Sequence, residues 1–279
     1  MSAVEHVTLS LSLTRFTSAF DLVRPTFVEA DTIAVENARN LGLEAQADET
    51  VQPVIYAVGE HDLDAPGGQR VAVLTGANSV GKTTLLETHC QVAILGQMGL
   101  PVPAERAAVG LVDSVVFHRR HASFKAGVLE STLRAIVPPV AGEGHTLMLV
   151  DEFEAITEPG SAADLLHGLV TLTVDRQAIG VYVTHLADEL RPLPDSTRVD
   201  GIFARELDDD LTIDVDYQPA FGEIGRSTPK FIVERLVQDA ATREEWVGFD
   251  HLAAAIDEED RQGTLGDEAW AADENTSTW

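Results

Sequence analysis

The sequence predicts an α/β fold: a mostly parallel sheet flanked by helices, with antiparallel strands added to it. Three observations carry this. Short apolar runs of strand character alternate with longer stretches of helical period from about residue 50 onward. One such run, Arg70–Thr75, leads straight into the glycine-bounded segment GANSVGKTT (Gly76–Thr84), which opens a helix. A later run, Leu147–Val150, ends in two adjacent carboxylates, Asp151 and Glu152. Alternating strands and helices are what a parallel sheet requires, because each parallel neighbour must be reached by a crossover.

Residues 1–50 read as a helical accessory segment, with a helix from Ser18 to Leu41 that uses Phe20, Leu22, Val23, Phe27, Val28, Ile33 and Val35 as apolar contacts and kinks at Pro25. The main domain is expected over 51–240. Val54–Val58 is a strand, Asp64–Gln69 a turn and Arg70–Thr75 a second strand. The helix after the glycine-rich loop buries Leu85, Leu86, Val92, Ala93 and Leu95. Val109–Arg119 reads as strand, Gly127–Val137 as helix, Thr146–Val150 as strand, Ala162–Val174 as helix and Ile179–Thr184 as strand. Thr197–Leu207 and Leu211–Tyr217 flank Asp208-Asp209-Asp210 as an antiparallel hairpin, and Lys230–Val237 forms a last helical stretch. From Asp257 to Trp279 acids, Gly, Thr and Ala dominate without periodicity, which predicts a disordered acidic tail.

Composition bounds the setting. A 279-residue chain that is 44% hydrophobic can build a real core. Its formal charge is −27, from 46 acids against 19 basic residues, of which only Lys82, Lys125 and Lys230 are lysines. The acids are spread along the chain, so self-repulsion rather than one basic partner is the dominant consequence, and molar salt that screens over about 3 Å would relieve it. A halophilic cytoplasm is the expected environment. The same acid shift removes any inference from the lack of a basic patch. Nowhere do eighteen apolar residues run together, so no membrane span is expected. The single cysteine, Cys90, falls on the apolar side of the loop helix and reads as a small buried hydrophobe.

The chemistry is concentrated at three chain positions. In GANSVGKTT, Gly76 and Gly81 let the backbone of Ala77, Asn78, Ser79 and Val80 wrap phosphates, Lys82 reaches the β and γ phosphates, and Thr83, followed by Thr84, places a hydroxyl for Mg²⁺ at a helix N-terminus. A nucleoside triphosphate is therefore the expected ligand. Asp151 is assigned to the metal and Glu152 to the attacking water as general base. His185, closing the strand Val181–Val183 beside Thr184, is expected to approach the γ phosphate.

With these residues in place the chain resembles the ATPase domain of the MutS family, an ABC-type ATPase associated with mismatch repair and recombination control. The likeness runs from about residue 54 to 217. The loop Thr75–Thr83 is similar to the family's TGxNxxGK[ST], Gly99-Leu100-Pro101-Val102-Pro103-Ala104 to its G-x-x-VPA segment, Gly110–Arg119 to its G-x-x-D-x-I-x-x-R stretch, and Thr184–Leu190 to its TH-x-x-E-L motif. The resemblance implies ATP·Mg²⁺ hydrolysis coupled to the geometry of a homodimer, with Ser123 reaching across to the other subunit's γ phosphate. DNA is the implied partner, contacted directly or through other domains. Ser123 reads equally well as an N-cap for the helix that follows.

The chain departs from the family pattern at three places: Ala77 stands where proline is frequent, Glu154-Ala155-Ile156-Thr157 replaces GRGT, and Gly127 stands where an acid follows the Ser-Phe signature. The departures at Glu154–Ile156 and Gly127 keep open an ATP-binding switch or scaffold that hardly turns over; a different ABC-type DNA-maintenance ATPase is a further alternative, although the long coiled-coil insertion and LSGG-like signature usual in such heads do not appear.

Overall fold

The computed structural model describes residues 3–46, 51–76, 81–119, 126–153, 159–186, 190, 192–207, 213–225, 233 and 236–255. It places 1–225 in one compact unit and 226–279 in a second. In the first unit the chain runs α1 (Ala3–Ala19), β1 (Thr26–Val28), β2 (Thr32–Ala38), α2 (Leu41–Glu44), β3 (Val54–Gly59), β4 (Val71–Gly76) and α3 (Lys82–Gln97). It continues through β5 (Arg106–Gly110), β6 (Ser114–His118), α4 (Ala126–Ala141), β7 (Thr146–Asp151), α5 (Pro159–Asp175), β8 (Ile179–Val183), β9 (Thr197–Leu207) and β10 (Ile213–Phe221).

Six strands form the main sheet in the order β10-β9-β4-β8-β7-β6. All its neighbours run parallel except the β9–β10 hairpin, so the expected α/β class holds, antiparallel addition included. Its central strands are apolar on both faces, as a sheet covered on both sides must be. Val71, Val73, Met148 and Val150 pack under Ile136 and Val140 of α4 and Leu166 and Val170 of α5. The alternate residues Ala72, Leu74, Leu147 and Leu149 face α3 through Leu85, Leu86, Val92 and Ala93. The other side of α3 is closed by a second sheet of order β1-β5-β2-β3, contributing Ile33, Val35, Tyr56, Val58 and Val109. The loop helix is thus clamped between two sheets, and that clamp fixes where its N-terminus points.

Two sequence expectations are corrected here. The helix expected over Ser18–Leu41 does not form: α1 ends at Ala19, and Thr26–Val28 and Thr32–Ala38 are strands, β2 pairing antiparallel with both β3 and β5. Pro25 lacks the N–H a helix needs, and Thr32, Ile33 and Val35 are β-branched residues that fit a buried pleat. The strand expected over Val109–Arg119 is two strands in different sheets, β5 and β6, separated at Leu111-Val112-Asp113. Asp113 turns the chain by donating its N–H to the His145 carbonyl at 2.8 Å and accepting the His145 N–H on Oδ2 at 2.8 Å.

In the second unit residues 236–238 and 243–255 are helical. The longer helix opens with a capping box in which Glu245 N–H donates to Thr242 Oγ1 at 3.2 Å and Thr242 N–H to Glu245 Oε2 at 3.1 Å. Most of Lys230–Val237 and the acidic tail from Asp257 lie outside the described residues.

One core residue carries a pH dependence. His89 on α3 is 1% exposed, lies edge-on to Tyr56 at 5.2 Å, and neither ring nitrogen has a hydrogen-bond partner. Burial, with the Arg198 guanidinium adding to it, lowers its pKa from 6.5 to about 4. The unfolded chain then binds the extra proton, so the contribution is intact above pH 6.5 and is lost as pH falls toward 4, by roughly 3 kcal/mol in full. His89→Leu is expected to flatten the acid limb of stability, read as urea midpoints across that range. An unchanged pH slope would exclude His89 as its source.

Candidate nucleotide-binding site

The site is built where β4, β7 and β8 end on the same edge of the main sheet. β4 stops at Gly76 with φ +136°, and a Cβ there would sit 2.4 Å from the carbonyl oxygen of Ile202, so only glycine passes this point. The chain enters α3 through Gly81 at φ +86°, where a Cβ would meet the Tyr217 ring at 2.7 Å. Ala77, Asn78, Ser79 and Val80 lie outside the described residues. Directly after Gly81 the Lys82 side chain folds inward, 4% exposed, and Nζ donates to the Gly76 carbonyl at 2.7 Å.

The partner strands bring the acids. Thr83 Oγ1 donates to Asp151 Oδ2 at 3.0 Å across 68 residues of sequence, and Asp151 is 1% exposed. The next residue, Glu152, takes the left-handed region at φ +40°, rare for a side chain with a Cβ. Its N–H donates to the Val183 carbonyl at 3.0 Å, and Oε1 lies 2.8 Å from His185 Nε2. Thr184 is fully buried, its N–H on the Leu74 carbonyl at 3.0 Å and its Oγ1 accepting from Leu186 N at 2.9 Å, which fixes the backbone that carries His185. Gly81, Lys82, Thr83, Thr84 and Glu152 line one cavity of about 450 Å³. Ser123 lies outside the described residues.

Several residues of this region escape sequence reasoning. The far wall of the cavity comes from Leu43, Val51, Val54 and Tyr217. Asn40 caps α2, accepting from Gly42 and Leu43 N–H at 2.9 and 3.1 Å, and also reaches Thr88 Oγ1 at 3.3 Å on α3. An asparagine before a short helical run is a cap signal that the sequence did offer. Beneath the loop, Thr75 Oγ1 donates to the Asp200 carbonyl at 2.9 Å and accepts from Gly225 N–H at 2.7 Å. Asp200 in turn receives Arg198 Nε on both oxygens at 2.8 and 2.9 Å and the Tyr56 hydroxyl at 2.9 Å. Burial first, and the Asp200 carboxylate next, push the Tyr56 pKa well above its usual value, so the hydroxyl stays a donor. Cys90 is buried, its pKa raised by burial and then by the Glu87 carboxylate, which suits a packed apolar group rather than a reactive thiol.

Residues 72–189, which carry Lys82, Thr83, Asp151, Glu152 and His185, match the family model of MutS domain V. The chain belongs to the MutS family. It is 43% identical over 230 residues to the DNA-binding protein MutS2 of Pyrococcus furiosus, covering 81% of this chain and 40% of that protein. It is 31% identical over 155 residues to the DNA mismatch repair protein MutS of Granulibacter bethesdensis, covering 54% of this chain and 16% of that one. Against the DNA mismatch repair protein MutS of Natronomonas pharaonis the identity is 28% over 230 residues, 79% of this chain and 26% of the other. The chain therefore spans 40% or less of the length of these MutS relatives. No helix among the described residues is long and apolar enough to cross a membrane.

Proposed function

We propose that this MutS-type domain is an ABC-type ATPase that binds ATP·Mg²⁺, hydrolyses it, and couples nucleotide state to the geometry of a homodimer in DNA mismatch repair or recombination control, in the cytoplasm. The observation that carries the reading is the Thr83–Asp151 contact at 3.0 Å beside the Glu152–His185 pair at 2.8 Å, both at the mouth of the Lys82 loop. Among the described residues no three His, Cys, Asp or Glu side chains gather into a metal cage. One hydroxyl and one carboxylate fit Mg²⁺ well, because that ion keeps several waters and takes its remaining ligands from phosphates. Bound there, it would neutralise charge developing on the β and γ phosphates. Thr83 and Asp151 would hold it, and the Lys82 ammonium would leave the Gly76 carbonyl for phosphate oxygens. Glu152 would accept the proton of the attacking water, held in position by His185 Nε2 and by its own backbone bond to Val183. Tyr217 lines the cavity and would stack on the base, with Val51, Val54 and Leu43 as the apolar wall.

Lys82→Ala is expected to weaken ATP binding about 10- to 100-fold in calorimetric titration in molar KCl, the worth of one charge-assisted hydrogen bond in a dry site. Equal affinity in the variant would remove Lys82 from the phosphate site. The departures at Glu154–Thr157 and Gly127 favour a second reading, an ATP-held switch that scarcely turns over. Tight binding with a turnover equal to the enzyme-free control would select it. DNA contact is assigned to the assembled protein, directly or through other domains.

A further inference from the structure

The ladder between β9 and β10 is interrupted beside the nucleotide cavity. Asp216 pairs with Phe203 and Ala220 with Gly201, so Tyr217, Gln218 and Pro219 on β10 stand opposite the single residue Ile202 on β9. A bulge of this kind aims a side chain away from the direction that regular pairing would give it. The side chain re-aimed here is Tyr217, 44% exposed, which lines the cavity with Val51, Gln52 and Val54 and whose ring abuts Gly81 at the end of the phosphate loop. Pro219 brings no N–H to the bulge, and side chains supply the bonds that brace it. The Ile55 N–H donates to Gln218 Oε1 at 2.7 Å, and Gln218 Nε2 donates to the Ile55 carbonyl at 2.9 Å. One amide thus makes both bonds that a residue of a neighbouring strand would make, and makes them to β3, the outer strand of the second sheet. Asp216 Oδ1 accepts from the Gln218 N–H at 3.1 Å and from Gln52 Nε2 at 2.8 Å. The Tyr217 N–H itself reaches Gln52 Oε1 only at 3.4 Å.

Ile55 directly follows Val54, so the double bond from Gln218 ties the strand that forms the apolar wall to the bulge that carries the ring. Both partners are half-buried, whereas Gln52 is exposed, so water competes least at the Gln218–Ile55 pair. Gln218 does not line the cavity. We propose that Gln218 is a positioning residue for the nucleobase: its amide fixes the bulge and thereby sets the gap between the Tyr217 ring and the Val51 and Val54 wall into which the base enters. This role rests on the nucleotide reading above and adds to it the element that prepares the base site. A ring held in place before the ligand arrives loses less freedom when the base stacks on it, and that saving appears as affinity. The phosphates are gripped by the loop glycines, Lys82 and Thr83, none of which bonds to Gln218, so the effect of Gln218 is confined to ligands that carry a base.

The test is calorimetric titration of the whole 279-residue chain with Mg²⁺ in molar KCl, using ATP and inorganic triphosphate, which has the phosphates and no base. Tyr217→Ala is expected to weaken ATP binding about tenfold, the worth of one base–aromatic stack, and to leave triphosphate binding unchanged. Gln218→Met fills similar space without either hydrogen bond, and is expected to weaken ATP by about 3- to 10-fold with triphosphate again unchanged. Added to Tyr217→Ala it should cost less than about twofold more, because the ring it positions is gone. Gln218→Glu keeps an acceptor for the Ile55 N–H and sets a carboxylate against the Ile55 carbonyl, so the same pattern is expected there even where the methionine variant melts early. Equal losses for ATP and triphosphate, unchanged ATP affinity in both Gln218 variants, or fully additive losses in the double variant each overturn the positioning role. A wild type that binds neither probe overturns the nucleotide reading and this role with it; one that binds both, with additive losses, overturns this role alone.

Discussion

Glu152→Gln is expected to keep ATP binding within about threefold of wild type while turnover falls by about 10²- to 10⁴-fold, the usual worth of a positioned general base. The substitution is close to isosteric, and the geometry that holds the residue does not depend on its charge. The backbone N–H of Glu152 bonds to the Val183 carbonyl at 3.0 Å, and a glutamine Oε1 can still accept from His185 Nε2 at the observed 2.8 Å. Thr83 and Asp151 are untouched, so the contact assigned to the metal persists. What is lost is the carboxylate's capacity to take a proton from water. Bound ATP should then accumulate, measurable as retained radiolabel after rapid gel filtration in molar KCl, alongside steady-state phosphate release. A steady-state rate equal to wild type would remove Glu152 from the role, whatever its position. The left-handed φ of +40° makes the same point structurally: the backbone tolerates a sparsely populated conformation that aims this one side chain.

The parts of this site that are contiguous in sequence were legible in it. Gly76 to Thr84 lies in one strand–loop–helix unit, and Asp151 and Glu152 are adjacent at a strand end, so local pattern suffices to name them. What draws them together, Thr83 to Asp151 across 68 residues, was inferable only because the loop chemistry demands an acid opposite. Tyr217 gave no such signal. It stands on a hairpin strand whose ring reaches Gly81 only after β10 has paired with β9 and β9 with β4. The second sheet was hidden for a different reason. Ile33, Val35 and their neighbours are buried on both faces of β2, which erases the period-two alternation that separates a strand from a helix. Arg198 and Asp200 fall within the strand Thr197–Leu207 of the expected hairpin, and nothing near them in sequence indicated a partner at Tyr56, 144 residues from Asp200.

Asp200→Ala is expected to cost about 3–5 kcal/mol, the effect of leaving a buried charge without its counter-ion. Asp200 is fully buried and Arg198 is 8% exposed. Beyond the carboxylate, the guanidinium is bound by the Ala57 carbonyl at 2.8 Å, the Pro66 carbonyl at 2.9 Å and Gln69 Oε1 at 3.1 Å, all on or beside the second sheet. It also lies over the rings of Tyr56 and Phe221 at 5.7 and 5.2 Å. The cluster therefore rivets β9 of the main sheet to β3, and neither half can relax outward to reach water. Removing the carboxylate also orphans the Tyr56 hydroxyl and the Gly222 N–H, which bonds Asp200 Oδ1 at 3.1 Å. For a domain of ordinary stability, about 5–15 kcal/mol, this is about a fifth or more of the total. Replacing Arg198 and Asp200 together by leucine should cost less than Asp200→Ala alone, because no unpaired charge remains. Denaturant midpoints in molar KCl measure both. A single variant within about 0.5 kcal/mol of wild type, the range of a neutral surface change, would mean that water reaches the guanidinium and that the two sheets are held by apolar packing alone.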